Sequence, residues 1–196
     1  MRYDTDAIRK DLLLEWDCDD FYLLRYIPVR TANPNQVTNL ILDFKNNTAE
    51  AVRTIEGLLI KAFISHEQEL RDKRRCRHLV SIPSHDAGGT STSVTNVCRA
   101  LEKRFSWLTY IPDALIRTDS VLKSARAGPG GRPSYFDHLV SIKYGGPKIR
   151  LQDSTIIMLD DVVTLKATSK ACRTILQQAT GCKQVTGVFV GRTQWK

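Results

Sequence analysis

Ile156-Ile157-Met158-Leu159-Asp160-Asp161-Val162-Val163-Thr164-Leu165-Lys166-Ala167-Thr168 is the stretch on which the fold turns. Its four leading apolar residues run without alternation, as in a strand covered on both faces, and such strands belong to parallel sheets. Asp160 and Asp161 stand at the carboxyl end of that strand. A short loop then leads to helical spacing at Ala171, Ile175 and Leu176, with Gly181 closing the helix and residues 185–190 forming a second apolar strand. Strand, helix and strand within about 40 residues make a βαβ unit with parallel pairing. The expected fold class is α/β, a parallel sheet flanked by helices that binds ligands beyond the carboxyl ends of its strands.

The chemistry of the segment follows from its ends. The first backbone N–H groups of the helix have no internal partners, and with the hydroxyls of Thr164 and Thr168 they form an anion site. Two adjacent carboxylates beside a phosphate site suit neighbouring sugar hydroxyls and a hydrated Mg²⁺. A ribose phosphate meets both demands. The plainer alternative is a solvated acidic turn, or charges complementing a helix dipole. A Walker B strand has a similar shape, but the chain has no G-x-x-x-x-G-K-[ST]. Gly128-Pro129-Gly130-Gly131 lacks the spacing of a dinucleotide fingerprint.

Outward from this unit, residues 78–82 form a short apolar strand, and residues 84–89 a polar loop whose backbone N–H groups suit a pyrophosphate, with His85 near an oxygen. Ser84-His85-Asp86 are consecutive, a poor arrangement for a catalytic triad. Val94, Val97, Leu101 and Phe105 have helical spacing, residues 119–135 form a long lid-like loop, and residues 136–144 suggest a strand. Nearer the N-terminus, residues 4–16 suggest a short amphipathic helix and residues 21–27 a strand. Asn35 caps a helix to Phe44, and Thr48 caps another reaching about Arg71. Residues 1–75 are therefore expected to form a small hood of helices and strand, part of the same domain as the α/β core at 76–196.

Composition narrows the function classes. The 196 residues are 42% hydrophobic and 26% charged, ample for one packed domain. No apolar run approaches the ~20 residues of a membrane span. Met-Arg-Tyr-Asp-Thr-Asp is followed by no apolar leader, so a cytoplasmic location is expected. The five cysteines have no CxxC pair and suggest neither a disulfide framework nor a zinc ribbon. The net charge is +8: residues 1–100 carry 14 Lys/Arg and 14 Asp/Glu, and residues 101–196 carry 15 and 7. Such asymmetry suits nucleic acid or a small polyanion equally. The basic cluster from Arg71 to Arg77 is a solvated helix end or a phosphate-backbone contact.

The segment 156–168 resembles the phosphoribosyl-pyrophosphate (PRPP) motif of type I phosphoribosyltransferases, a hydrophobic strand ending in an acidic pair and a Thr-bearing loop. Over residues 25–191 the chain is similar to the ComF-like, competence-associated branch of that family. Residues 37–45 resemble its early helix ending in an apolar-Lys pair, and residues 78–85 its strand closing on a proline. The resemblance implies that Asp160 and Asp161 meet the ribose hydroxyls and, through water, Mg²⁺. It implies that Thr164, Leu165, Lys166, Ala167 and Thr168 wrap the 5′-phosphate. Ser84 and His85 would face the pyrophosphate; Arg117, Lys123 and Arg132 would clamp it, bind nucleic acid or stand exposed, with His138 among the polar positions of the flexible region. Leu165-Lys166 depart from the family's Thr-Gly, losing a hydroxyl and a glycine, with the Lys166 charge offered to the phosphate instead. The branch's N-terminal zinc module has no counterpart, since Cys18 stands alone. The implied function is transfer of ribose 5-phosphate from Mg-PRPP to a nitrogen acceptor with release of pyrophosphate. The alternative is a non-catalytic PRPP- or nucleotide-sensing protein of the same fold acting on nucleic acid in DNA uptake, repair or defence.

Overall fold

The computed structural model describes Tyr3, Ile8 and residues 12–17, 19–27, 35–66, 77–121, 131–148, 150–152 and 154–193. Its centre is β7 (Thr155–Val163), which pairs in parallel with β8 (Gln184–Thr193) on one side and β3 (Arg77–Ser81) on the other. β4 (Leu108–Tyr110) and β2 (Asp20–Tyr26) extend the parallel sheet outward, and β1 (Leu12–Asp17) adds an antiparallel edge. The resulting order is β1-β2-β8-β7-β3-β4. β5 (Leu115–Arg117) and β6 (Ile142–Tyr144) form a separate antiparallel pair. Mixed α/β architecture with a mostly parallel central sheet flanked by helices is therefore the fold.

Side chains alternate across the sheet, and both sets are buried. Leu79, Ile157, Leu159, Val188 and Val190 join a core with α1 (Gln36–Lys45), α2 (Ala49–Ser65) and α3 (Thr92–Arg104). Val80, Ile156, Met158, Val185 and Phe189 join a second core with Cys172, Ile175 and Leu176 of α5 (Ala167–Thr180). Two apolar faces explain why the central strand shows no polar alternation. α1 lays Val37, Leu40, Ile41 and Phe44 inward, and the Asn35 side chain caps it by accepting from the Thr38 N–H at 2.9 Å.

The connections create one privileged crevice. From β3 the chain passes through α3 to β4, to one side; from β7 it passes through α5 to β8, to the other. The strand order thus reverses between β3 and β7, where α/β sheets bind ligands at the carboxyl ends.

Three expectations need correction. Residues 12–17 are strand, not helix, because pairing with β2 gives the edge backbone its hydrogen bonds. The described part of residues 1–75 supplies β1 and β2 to the central sheet and packs α1 and α2 on one face. Residues 136–144 are not one strand: α4 (Tyr135–Ser141) precedes β6, started by a capping box in which Ser134 and Asp137 satisfy each other's backbone N–H groups. β7 also continues past Leu159 through the acidic pair, held by Asp160↔Phe189 and Val163↔Arg192 register with β8. α2 ends at Ser65, and residues 67–71 of its expected extension lie outside the described residues. The three described cysteines, Cys98, Cys172 and Cys182, are buried free thiols.

Candidate functional site

A cavity of about 420 Å³ opens at the crevice between the carboxyl ends of β3 and β7. Asp160, Asp161, Thr164 to Thr168, Ser84, His85, Arg117 and Arg132 all line it. Eleven of the twelve residues expected from sequence therefore meet at one edge of one sheet; Lys123 lies outside the described residues.

β7 carries the acidic pair to the cavity as consecutive residues of its last turnless stretch. Asp160 Oδ1 accepts from the Asp161 N–H at 2.8 Å, and Asp161 Oδ1 from the Val162 N–H at 2.5 Å. Burial first, then the neighbouring Asp161 carboxylate, push the Asp160 carboxyl well above its ordinary range. Lys45, at the end of α1, faces the pair with Nζ 3.4 Å from Asp161 Oδ2. Lys45 is a site residue that spacing along β7 does not reveal; its sequence signals are its place at the end of the amphipathic helix and the resemblance of residues 37–45 to a helix ending in an apolar-Lys pair.

Two crowded carboxylates, one held protonation-prone by burial and then by the other, are a donor set that a hard cation relieves. Among the described residues no group of three or more His, Cys, Asp or Glu is arranged to hold a metal. Mg²⁺ typically binds one or two carboxylates while keeping waters and substrate phosphates. The pair fits a cation that arrives with a diphosphate, and does not form an all-protein cage.

The loop from Thr164 to Lys166 delivers the chain into α5. Lys166 is the N-cap, with φ 58° and ψ 5°, and its side chain makes no capping bond. This is left-handed backbone that normally favours glycine. Its ammonium points away from the helix start, 3.0 Å from Asp17 Oδ2 and 3.3 Å from Asp20 Oδ2, and 5.4 Å from the centre of the Tyr22 ring. Arg173 and Arg192 complete that cluster, with Arg173 Nη2 2.6 Å from Asp20 Oδ1 and Arg192 Nη2 3.4 Å from Asp17 Oδ2. The expectation that the Lys166 charge serves a phosphate is corrected: two carboxylates from β1 and β2 already hold it. The early N–H groups of α5 and the Thr168 hydroxyl remain at the cavity.

The loop after β3 also differs from expectation. Five of its amides already donate within the protein: Ser84 to Gly89 O at 3.0 Å, Asp86 to Ser84 Oγ at 3.3 Å, Ala87 to Ser120 Oγ at 2.9 Å, Gly88 to Arg117 O at 2.8 Å, and Gly89 to Asp86 O at 3.1 Å. It is a closed turn, and these five N–H groups are not a pyrophosphate cradle. The Ser84 and His85 side chains and Arg132 face the cavity instead. Asp86 lies beside His85, Oδ2 to Nε2 3.1 Å, at the surface. Arg117 is only 2% exposed and is turned inward, its guanidinium bonded to Ser84 O, Ser141 Oγ and His138.

Of the basic cluster, residues 71–76 lie outside the described residues. Arg77 is 5% exposed, its guanidinium 6.0 Å from the centre of the Trp107 ring, so it is a packed core cation and no surface contact. No helix among the described residues is long and apolar enough to cross a membrane.

No protein-family model matches the chain, and no curated protein matches it. Among solved structures it is similar to a hypoxanthine phosphoribosyltransferase from Staphylococcus aureus, with a TM-score of 0.38 and 11% identity over 78% of this chain; it spans 62% of that protein's length. It is also similar to adenine phosphoribosyltransferases from Leishmania donovani and Leishmania tarentolae. Each has a TM-score of 0.41 and 13% identity over 91% of this chain, covering 85% and 93% of those chains respectively.

Proposed function

We propose that this chain is a type I phosphoribosyltransferase-like protein of the ComF-like branch that binds PRPP with Mg²⁺. In this reading it transfers ribose 5-phosphate to a nitrogen acceptor and releases pyrophosphate. The observation that carries it is the meeting of a paired-carboxylate strand end and an open helix N-terminus across one cavity at the sheet's switch point. Both halves of a ribose phosphate then find complementary groups within one site.

Asp160 and Asp161 accept hydrogen bonds from the ribose 2′- and 3′-hydroxyls. The first N–H groups of α5 and the Thr168 hydroxyl donate to the 5′-phosphate. Ser84, His85 and Arg132 face the pyrophosphate end. Asp160 and Asp161 would hold Mg²⁺ through its water shell, and the ion, when bound, would supply charge neutralisation to the departing pyrophosphate. As the C1–oxygen bond breaks and the C1–nitrogen bond forms, the acceptor's proton leaves to solvent. The chain's own contribution is positioning and fixed charge, the usual means of stabilising such a centre.

A second reading keeps the ligand and removes the turnover: a sensor of PRPP or a nucleotide that acts on nucleic acid. Two observations favour it, the Lys166 ammonium engaged by Asp17 and Asp20 and the already bonded amides of Ser84, Asp86, Ala87, Gly88 and Gly89. Titration calorimetry with Mg-PRPP on the parent and on Asp160→Asn/Asp161→Asn tests the ribose site, and a pyrophosphate-release assay with candidate nitrogen acceptors separates the readings. Saturable binding abolished in the double variant, with pyrophosphate released, is expected for the transferase. Binding without release supports the sensor, and binding that survives loss of both carboxylates refutes the site.

A further inference from the structure

Arg117 is the largest of the fully buried side chains among the described residues, a cation placed where a core residue is expected. Its surroundings explain it. Nε donates to Ser84 O at 2.5 Å, Nη1 to Ser141 Oγ at 2.7 Å, and Nη2 lies 3.3 Å from His138 Nδ1. Guanidinium nitrogens only donate, so Nδ1 of His138 must accept and carry no proton. The imidazole proton is therefore on Nε2. That atom lies 3.0 Å from Thr168 Oγ1, so the ring donates to the hydroxyl.

A hydroxyl that accepts from a histidine keeps its own hydrogen to give away. Thr168 is the second residue of α5 and lines the cavity. We propose that Arg117 and His138 form a positioning relay that fixes the Thr168 hydroxyl as a hydrogen-bond donor to a phosphate oxygen at the start of α5. The inference rests on the PRPP reading above and names how its 5′-phosphate site is held. The relay spans three elements, β5, α4 and α5, and through Ser84 O it also ties in the loop after β3. One buried guanidinium thereby couples the two loops that border the cavity.

The electrostatics agree. Burial and the Arg117 cation lower His138 to about 4, against a smaller opposing pull from Asp137 on its own helix. Cys172 of α5 and Asp160 of β7 face the guanidinium from the other elements. His138 is thus neutral at physiological pH, as the relay requires.

Two measurements on the full chain test it. Nitrogen-15 chemical shifts of His138 between pH 6 and 8, without ligand, should show a neutral ring protonated at Nε2; the other tautomer or a cation overturns the relay. Ribose 5-phosphate affinity by calorimetry then forms a double-mutant cycle of His138→Leu and Thr168→Val. A lost hydrogen bond to a charged oxygen predicts about tenfold weaker binding for either single change. His138→Leu should cost less than about twofold once Thr168→Val is present. His138→Gln, whose amide can donate at the same place, should stay within about threefold of the parent and covers the case of a misfolded leucine variant. Additive losses with ribose 5-phosphate still bound overturn the relay and leave the functional reading standing. A parent protein with the expected tautomer that binds no ribose 5-phosphate overturns the functional reading and, with it, the phosphate-directed role of Thr168.

Discussion

Replacing Lys166 by glycine and by alanine should give a stability order opposite to that of a helix interior. Lys166 holds left-handed backbone at φ 58°, which for a residue with a Cβ costs roughly 1–2 kcal/mol. Its ammonium recovers that cost through Asp17 and Asp20 at 3.0 and 3.3 Å, with its side chain 28% exposed and that of Asp20 4%. A partly buried charge-assisted contact of this kind contributes about 1.5–3 kcal/mol. The loss is moderated because Arg173 still holds Asp20 at 2.6 Å and Arg192 stands 3.4 Å from Asp17. Lys166→Ala removes the anchor and keeps the backbone cost, for a net loss of about 2 kcal/mol. Lys166→Gly removes both, for a net loss of about 1 kcal/mol. In an ordinary helical position alanine is favoured over glycine by about 1 kcal/mol, so the sign itself is diagnostic. Urea denaturation of the two variants reads the difference as a midpoint shift at constant slope. An alanine variant as stable as the glycine variant would falsify the account of Lys166 as a strained residue held by its ammonium.

Acid sensitivity should trace to His138. Its proton affinity is lowered to about 4 in the fold against about 6.5 in the open chain, so the unfolded state takes up the proton first as pH falls. Its contribution is complete above about pH 6.5 and is lost on descent to about pH 4, by up to ~3 kcal/mol. Urea midpoints of the parent and His138→Gln from pH 7 to 4 should diverge accordingly; parallel curves refute it. Asp160→Asn should stabilise the ligand-free protein by ~1 kcal/mol while weakening Mg-PRPP binding, because the amide relieves the crowded carboxylates and keeps the acceptor for the Asp161 N–H. A melting temperature that falls instead contradicts the crowding. Gly187→Ala should destabilise by about 2 kcal/mol or more, since a Cβ there meets the Asp20 carboxylate and the Phe189 ring; an unchanged urea midpoint shows that the neighbours yield.

The elements that were legible in the sequence share a property: their burial pattern is written in consecutive residues. The uninterrupted Ile156–Leu159 run names a two-faced strand, and Val37, Leu40, Ile41 and Phe44 name the buried stripe of α1. The errors fall where local preference competes with a partner elsewhere. Leu12, Leu13 and Leu14 suit a helix by propensity, yet β2 recruits them as an irregular edge strand with a register shift between Leu12 and Glu15. Phe136 and Val140 suggest a strand, but they are 70% and 72% exposed on α4, and the Ser134–Asp137 capping box was the local sign of a helix start.

The acidic pair, the Thr-bearing loop and the α/β class needed only the order of residues, because strand burial and helix starts are properties of short segments. Which groups those residues face is another matter. Asp17 and Lys166 are 149 positions apart, Arg117 and Ser84 33, and His138 and Thr168 30. The family resemblance implied phosphate contacts for Lys166 and Arg117; the fold gives one to a carboxylate pair and the other to a buried relay. The reason is desolvation: a charge brought into a packed site must be matched where the chain happens to close, and only the tertiary structure decides which opposite partner stands there.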